Sequence, residues 1–115
     1  MSKKILIVDD EPLLRSVVRD ILEDNGYAVK EAGTADEALL LLDGGEFAAV
    51  LTDIEMPGTL NGLDLARMIR AMWPSVHLVV TSGRTLPRPE DLPAHTPILT
   101  KPFSAEQLVE MMRAA

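Results

Sequence analysis

Cysteine is absent from the chain, which excludes disulfides, thiolate metal sites and a cysteine nucleophile. Aromatic residues are scarce, at 3%, so a core must be packed by Leu, Val, Ile, Met and Ala. Positive charge is in deficit: 11 Lys and Arg stand against 18 Asp and Glu, a formal net charge of -7. The basic residues are scattered, and a nucleic-acid backbone is not expected as a direct partner. Long apolar runs are missing too. Met1-Ser2-Lys3-Lys4 leads into only four consecutive apolar residues, too few for a signal-peptide core or a membrane span. What is present is ordinary for a globular protein. With 47% apolar and 25% charged residues in 115 positions, one domain over residues 1–115 can form on a single core. A reducing cytoplasmic setting without membrane association is the expectation.

Ile5-Leu6-Ile7-Val8 is a continuous, β-branched-rich run, the pattern of a strand buried on both faces. After Asp9-Asp10-Glu11, Pro12 suits a first helical turn and the acids suit a helix N-terminus. Leu13, Leu14, Val17, Val18, Ile21 and Leu22 follow at helical spacing, and Gly26 supplies the stop. Tyr27-Ala28-Val29 reads as a second, short strand. Thr34-Ala35-Asp36-Glu37 matches a capping box and opens a helix that ends at Asp43-Gly44-Gly45. Ala48 to Asp53 is a third strand. Beyond Pro57, a loop through Gly62 offers Asn61 as the cap of a helix to about Met72, and Trp73-Pro74 closes it. Val76 to Thr81 is a fourth strand that delivers Ser82-Gly83. Arg84 to Pro97 holds four prolines in fourteen residues and admits no long helix, at most a turn around Glu90-Asp91-Leu92. Ile98-Leu99-Thr100 is a fifth strand, and Ser104-Ala105-Glu106-Gln107, another capping-box match, opens a last helix.

Strands alternating with amphipathic helices predict an α/β fold, a parallel sheet with helices on both faces and right-handed crossovers. The C-terminal strand ends then share one edge, where such folds place their ligand crevice. Asp9 and Asp10 follow the first strand, Asp53 ends the third, Ser82 follows the fourth and Lys101 the fifth. Three carboxylates at one edge repel each other, and a divalent cation removes the conflict. Mg²⁺ takes carboxylate and carbonyl oxygens, retained waters and a substrate phosphate. Asp9, Asp10 and Asp53 supply the carboxylates, and the backbone carbonyl of Glu55 can complete the set. Asp53 is read as a nucleophile that accepts a phosphoryl group. Lys101 adds a compact cation and Ser82 a hydroxyl donor, both aimed at phosphoryl oxygens.

In this order and spacing the motifs resemble the receiver domain of two-component response regulators, of the chemotaxis type. The resemblance rests on Asp9-Asp10, on Asp53-Ile54-Glu55-Met56-Pro57 with the following Gly62, on the hydroxyl residue after the fourth strand, and on Lys101-Pro102-Phe103. It covers essentially the whole chain. It implies a flavodoxin-like, doubly wound, five-stranded sheet in the order 2-1-3-4-5. It also implies Mg²⁺-dependent phosphoryl transfer to Asp53 from a histidine kinase or histidine phosphotransfer protein, followed by self-catalysed hydrolysis. On this view the chain is no enzyme toward other substrates; it relays a signal to a downstream protein that the sequence does not identify. A cis Lys101-Pro102 bond is implied as well. For the switch hydroxyl, Ser82 is chosen because Gly83 then fills the family's small-residue slot, with Thr81 the alternative. The first helix carries more apolar residues than a core-facing stripe needs. In the family that helix docks the kinase, so Leu14 is expected to be partly exposed.

Departures from the family pattern are equally specific. The helix between the fourth and fifth strands is short or missing, and the aromatic switch position holds Ile98. One extra residue lies between Pro57 and Gly62. Since the chain stops just after its last helix, a stand-alone receiver is the leading expectation. A degenerate receiver that acts only by binding is the alternative. A phosphatase using Glu55 as proton donor is disfavoured by the lack of any capping element. Asp9-Asp10 could, by themselves, be helix-cap residues, and His77 and His95 are expected to be structural or surface histidines.

Overall fold

A computed structural model of the chain describes residues 2–56, 60–84 and 86–115. Five strands, β1 (Lys4–Val8), β2 (Ala28–Ala32), β3 (Ala49–Asp53), β4 (His77–Ser82) and β5 (Ile98–Thr100), form one parallel sheet in the order β2-β1-β3-β4-β5. The helices are α1 (Pro12–Asp24), α2 (Ala35–Gly44), α3 (Gly62–Met72) and α4 (Ala105–Met112). This is the expected flavodoxin-like topology.

Both faces of the central strands are buried, which is why β1 shows no hydrophobic alternation in sequence. Ile5 and Ile7 join Leu51, Val79, Leu99, Val18, Leu22, Leu108 and Met112 in a core beneath α1 and α4. Leu6 and Val8 face the other way, with Val50, Leu78, Val80, Leu42, Leu65 and Ile69, beneath α2 and α3. Residues of opposite parity on one strand thus hold two helical layers.

The caps follow the sequence, with one refinement. Asn61 accepts the Asp64 N–H while Asp64 accepts the Asn61 N–H, and Ser104 and Gln107 do the same at α4. At α2 the box is half closed: Thr34 accepts the Glu37 N–H, but Glu37 reaches the Gly33 N–H instead of the cap residue's own. Gly26 lies at φ +91° and ends the α1 connection as expected.

Three expectations need correction. β2 is five residues, not Tyr27–Val29. It is an edge strand with exposed Ala28 and Lys30, and its Glu31 is neutralised by Arg15 and Arg19, so its apolar signal is weak. β4 is shifted by one residue and includes Ser82, whose carbonyl accepts the Lys101 N–H. The acids before α1 do not cap it. The cap residue is Glu11, without a side-chain cap bond, and no acid lies in the first turn.

Between β4 and β5 the described residues form only a short 3₁₀ turn, Pro89–Asp91. Arg88 pairs with Asp91, and Arg67 of α3 donates to the Asp91 carbonyl at 2.8 Å. The proline count forecast this. The residues of the lengthened loop at 57–59 lie outside the described ones.

Candidate functional site

The site begins with β3, whose register with β1 and β4 places Asp53 opposite Thr81 at the C-terminal edge. Gly62, the first residue of α3, packs directly on that strand end. A Cβ there would stand 1.8 Å from the Asp53 carbonyl oxygen and 2.4 Å from Ile54 Cα. Only glycine allows this approach, and the approach fixes the backbone that presents the carboxylate.

Asp53 is 4% exposed and Asp9 5%. Lys101 Nζ lies between them, 3.0 Å from Asp53 Oδ2 and 3.1 Å from Asp9 Oδ2. The remaining carboxylate oxygens are held by backbone: Asp53 Oδ1 accepts the Glu55 N–H and Asp9 Oδ1 the Glu11 N–H, both at 2.9 Å. Burial raises the Asp53 pKa above the ordinary carboxylate value, against the Glu55 N–H and Lys101, which lower it. Burial alone would lower the Lys101 pKa, but the hydrogen bonds and charges of Asp53 and Asp9 outweigh it and leave it raised. Lys101 therefore stays charged and offsets two desolvated acids.

Asp10 is exposed, yet its carboxylate joins those of Asp9 and Asp53: one oxygen from each lies within 4.8 Å of the others. Three carboxylate oxygens gathered at one sheet edge are the hard donor type that Mg²⁺ takes. The acid pair thus serves the edge of the sheet and not the cap of α1.

Both candidate hydroxyls are buried. Thr81 lines a small pocket with Asp9, Leu14, Arg15, Val18, Leu51, Lys101 and Phe103. Ser82 Oγ lies 3.5 Å from Glu55 Oε1, on the side of the cavity formed by Asp10, Glu11, Asp53, Glu55, Gly83, Arg84 and Lys101. The Lys101-Pro102 bond is cis. His77 Nε2 bonds the Met111 carbonyl at 3.0 Å and His95 sits in a loop at φ 60°; neither belongs to the site.

Two side chains have more to do here than their sequence positions suggest. Arg15 Nη1 donates to the Asp9 carbonyl at 2.6 Å while its Nε meets Glu31, which ties the acidic loop to the sheet edge. Glu55, considered above for its carbonyl, also uses its carboxylate, which accepts the N–H groups of Gly83 at 3.0 Å and Arg84 at 2.8 Å. An acid two residues beyond Asp53 was the only available signal for the second of these.

Near the site, α1 exposes Leu13 (84%) and Val17 (54%). Leu14 is half-buried, as expected. With Ile21, Pro102 and Phe103, Leu14 and Val17 line a shallow apolar groove that ends at Lys101.

A family model described as the response regulator receiver domain matches residues 5–113. The chain is 34% identical over 113 residues to the transcriptional regulatory protein ResD of Bacillus subtilis, covering 96% of this chain and 47% of ResD. To the nitrogen assimilation regulatory protein NtrX of Azorhizobium caulinodans it is 36% identical over 120 residues, covering 100% of this chain and 26% of NtrX. The chain thus spans about half or less of the length of these curated relatives. Among solved structures, a CheY-like receiver domain protein from Methanospirillum hungatei superposes with a TM-score of 0.88 at 28% identity, covering 99% of this chain and 93% of that one.

Proposed function

The chain belongs to the response regulator receiver family, and on that premise we propose that Asp53 accepts a phosphoryl group from a histidine kinase or histidine phosphotransfer protein. The observation that carries this reading is the buried Asp53 carboxylate, ion-paired to Lys101 beside two further acids. In the step, an Asp53 carboxylate oxygen forms a bond to phosphorus, the N–P bond of a phosphohistidine breaks, and the leaving imidazole takes up a proton. Asp9, Asp10 and Asp53, with the Glu55 carbonyl, would hold Mg²⁺, which supplies charge neutralisation for the transferring group. Lys101 exchanges its Asp53 contact for a phosphoryl oxygen, and Ser82 donates its hydroxyl to another. Water later attacks phosphorus and restores the carboxylate, so the chain catalyses only its own phosphorylation and dephosphorylation.

Leu13, Leu14 and Val17, with the groove at Pro102-Phe103, supply an apolar face beside Asp53 for the donor protein. The setting is taken to be cytoplasmic. That setting follows from the family; among the described residues no helix is long and apolar enough to cross a membrane. The short 3₁₀ turn in place of a helix between β4 and β5 favours one second reading: a module that signals by binding alone. Incubation with a small-molecule phosphodonor and Mg²⁺, followed by intact mass, separates the two. One added phosphoryl group that disappears in Asp53→Asn is the expected result. Unmodified protein under conditions that label other receivers would leave only the binding module.

A further inference from the structure

The end of β4 is an anion cradle, and in the resting chain an anion already occupies it. Glu55 Oε1 accepts the Gly83 N–H at 3.0 Å and the Arg84 N–H at 2.8 Å, with Ser82 Oγ at 3.5 Å. The same cavity, about 320 Å³, is lined by Asp53, Glu55, Gly83, Arg84 and Lys101. A phosphoryl group on Asp53 would carry three oxygens into this space. Lys101 meets one side of it. Gly83 and Arg84 line it too, with the donors that Glu55 holds, whereas the Glu55 N–H is committed to Asp53 Oδ1.

We propose that the Glu55 carboxylate is a built-in competitor for the phosphoryl site, displaced from Ser82, Gly83 and Arg84 when Asp53 is phosphorylated. This rests on the phospho-receiver reading of the same site. Glu55 acts as a positioning residue: it fastens the start of the Arg84–Pro97 segment to the end of β3 until a stronger anion takes its place. Two like charges cannot share these donors. Phosphoryl arrival therefore frees Glu55 and transfers the backbone of Gly83 and Arg84 from a side chain to the modified Asp53. Switching in this chain then starts from that exchange, since the position of the family's aromatic switch holds Ile98.

A cradle that is free only about a tenth of the time weakens apparent anion binding about tenfold. The test compares wild type with Glu55→Ala and Glu55→Asp, using beryllofluoride with Mg²⁺ as the phosphoryl analogue and amide NMR as the readout. In the absence of analogue, Glu55→Ala should move the Gly83 and Arg84 amide resonances. It should also tighten beryllofluoride binding about tenfold. Glu55→Asp keeps the charge but shortens the reach, and it should tighten binding in the same direction. Wild-type affinity in Glu55→Asp would make charge alone responsible and overturn the proposal. Unchanged or weaker binding in Glu55→Ala, with wild type binding normally, would overturn it while leaving the receiver reading intact. If no form binds the analogue and wild type takes no label from a phosphodonor, the receiver reading fails and this inference with it.

Discussion

Lys101 is the only described cation within salt-bridge distance of either buried acid, and Lys101→Met is the substitution that tests this most directly. Methionine keeps much of the side-chain volume and removes the ammonium. Asp53 and Asp9 would then face each other at the sheet edge with only one backbone N–H each among the described bonds. Removing one partner of a buried pair costs about 3–5 kcal/mol. Lys101 is 19% exposed and the site opens onto a cavity, so solvent recovers part of that, leaving about 2–3 kcal/mol. With a urea dependence of about 1.5 kcal/mol per M, the metal-free midpoint should fall by about 1.3–2 M.

The diagnostic measurement is the same urea titration with saturating Mg²⁺. A cation on Asp9, Asp10 and Asp53 replaces the missing charge, so the variant should gain more from Mg²⁺ than wild type does. Asp53→Asn should suppress most of the Lys101→Met penalty, because the neutral amide leaves less charge to compensate; a double-mutant cycle reads that coupling. A metal-free loss below about 0.5 kcal/mol, the range of ordinary surface substitutions, would refute the reasoning. So would a loss that Mg²⁺ leaves unchanged, since Lys101 would then matter through its packing and not its charge.

Gly62→Ala should destabilise the protein by about 3 kcal/mol or more, at the top of the overpacking range, because the new Cβ collides with the Asp53 backbone; urea unfolding checks the loss, and labelling of Asp53 should fall with it. Asp91, whose pKa is held below the ordinary carboxylate value first by its hydrogen bond from Arg88, should titrate lower by NMR than it does in Arg88→Ala. A depressed folded-state pKa means this bond contributes above the unfolded pKa and is lost as pH falls through the folded one, so the 3₁₀ turn should loosen on acidification. Leu13→Ser with Val17→Ser should leave stability within about 0.5 kcal/mol, as for exposed positions. It should slow labelling by a phosphohistidine protein donor while labelling by a small-molecule donor stays unchanged; equal slowing of both would remove the docking role.

The central fold was legible because its signals are local and strong. Continuous apolar runs at Ile5–Val8 and Ala49–Leu51, a proline at the α1 start and side-chain caps at Thr34, Asn61 and Ser104 all act within a few residues. Acids and a lysine at the strand ends then had to meet, since parallel topology brings those ends to one edge. What escaped was set by partners distant in sequence. β2 is long because Glu31 is neutralised by two arginines of α1, so its polar residues misstate its pairing. The Glu55 carboxylate is aimed by N–H groups 28 and 29 residues away, and a residue type alone gives no direction. For Gly62 the sequence offered a motif position, while the cause is steric: a Cβ there would stand 1.8 Å from the Asp53 carbonyl oxygen at the end of β3.

The segment after β4 changes what an event at Asp53 can move. A regular helix there would respond as one body, because its backbone bonds run along its own length. Here the described residues offer separate fasteners instead. Arg84 is held through its N–H to Glu55, and Asp91 through its carbonyl to Arg67, with Arg88 closing the turn between them. Each fastener leads back to Asp53 by a short route. Glu55 begins two residues beyond it and donates its N–H to the Asp53 carboxylate. Arg67 sits on α3, whose first residue packs on the Asp53 carbonyl. Charge added at Asp53 acts on the first route directly, by competing for donors, and on the second only by shifting a helix. The donor exchange needs movement of one side chain, while the helix is anchored by buried Leu65, Ala66 and Ile69. The Glu55 route is therefore the softer of the two, and the start of the segment at Arg84 should respond before its 3₁₀ turn does.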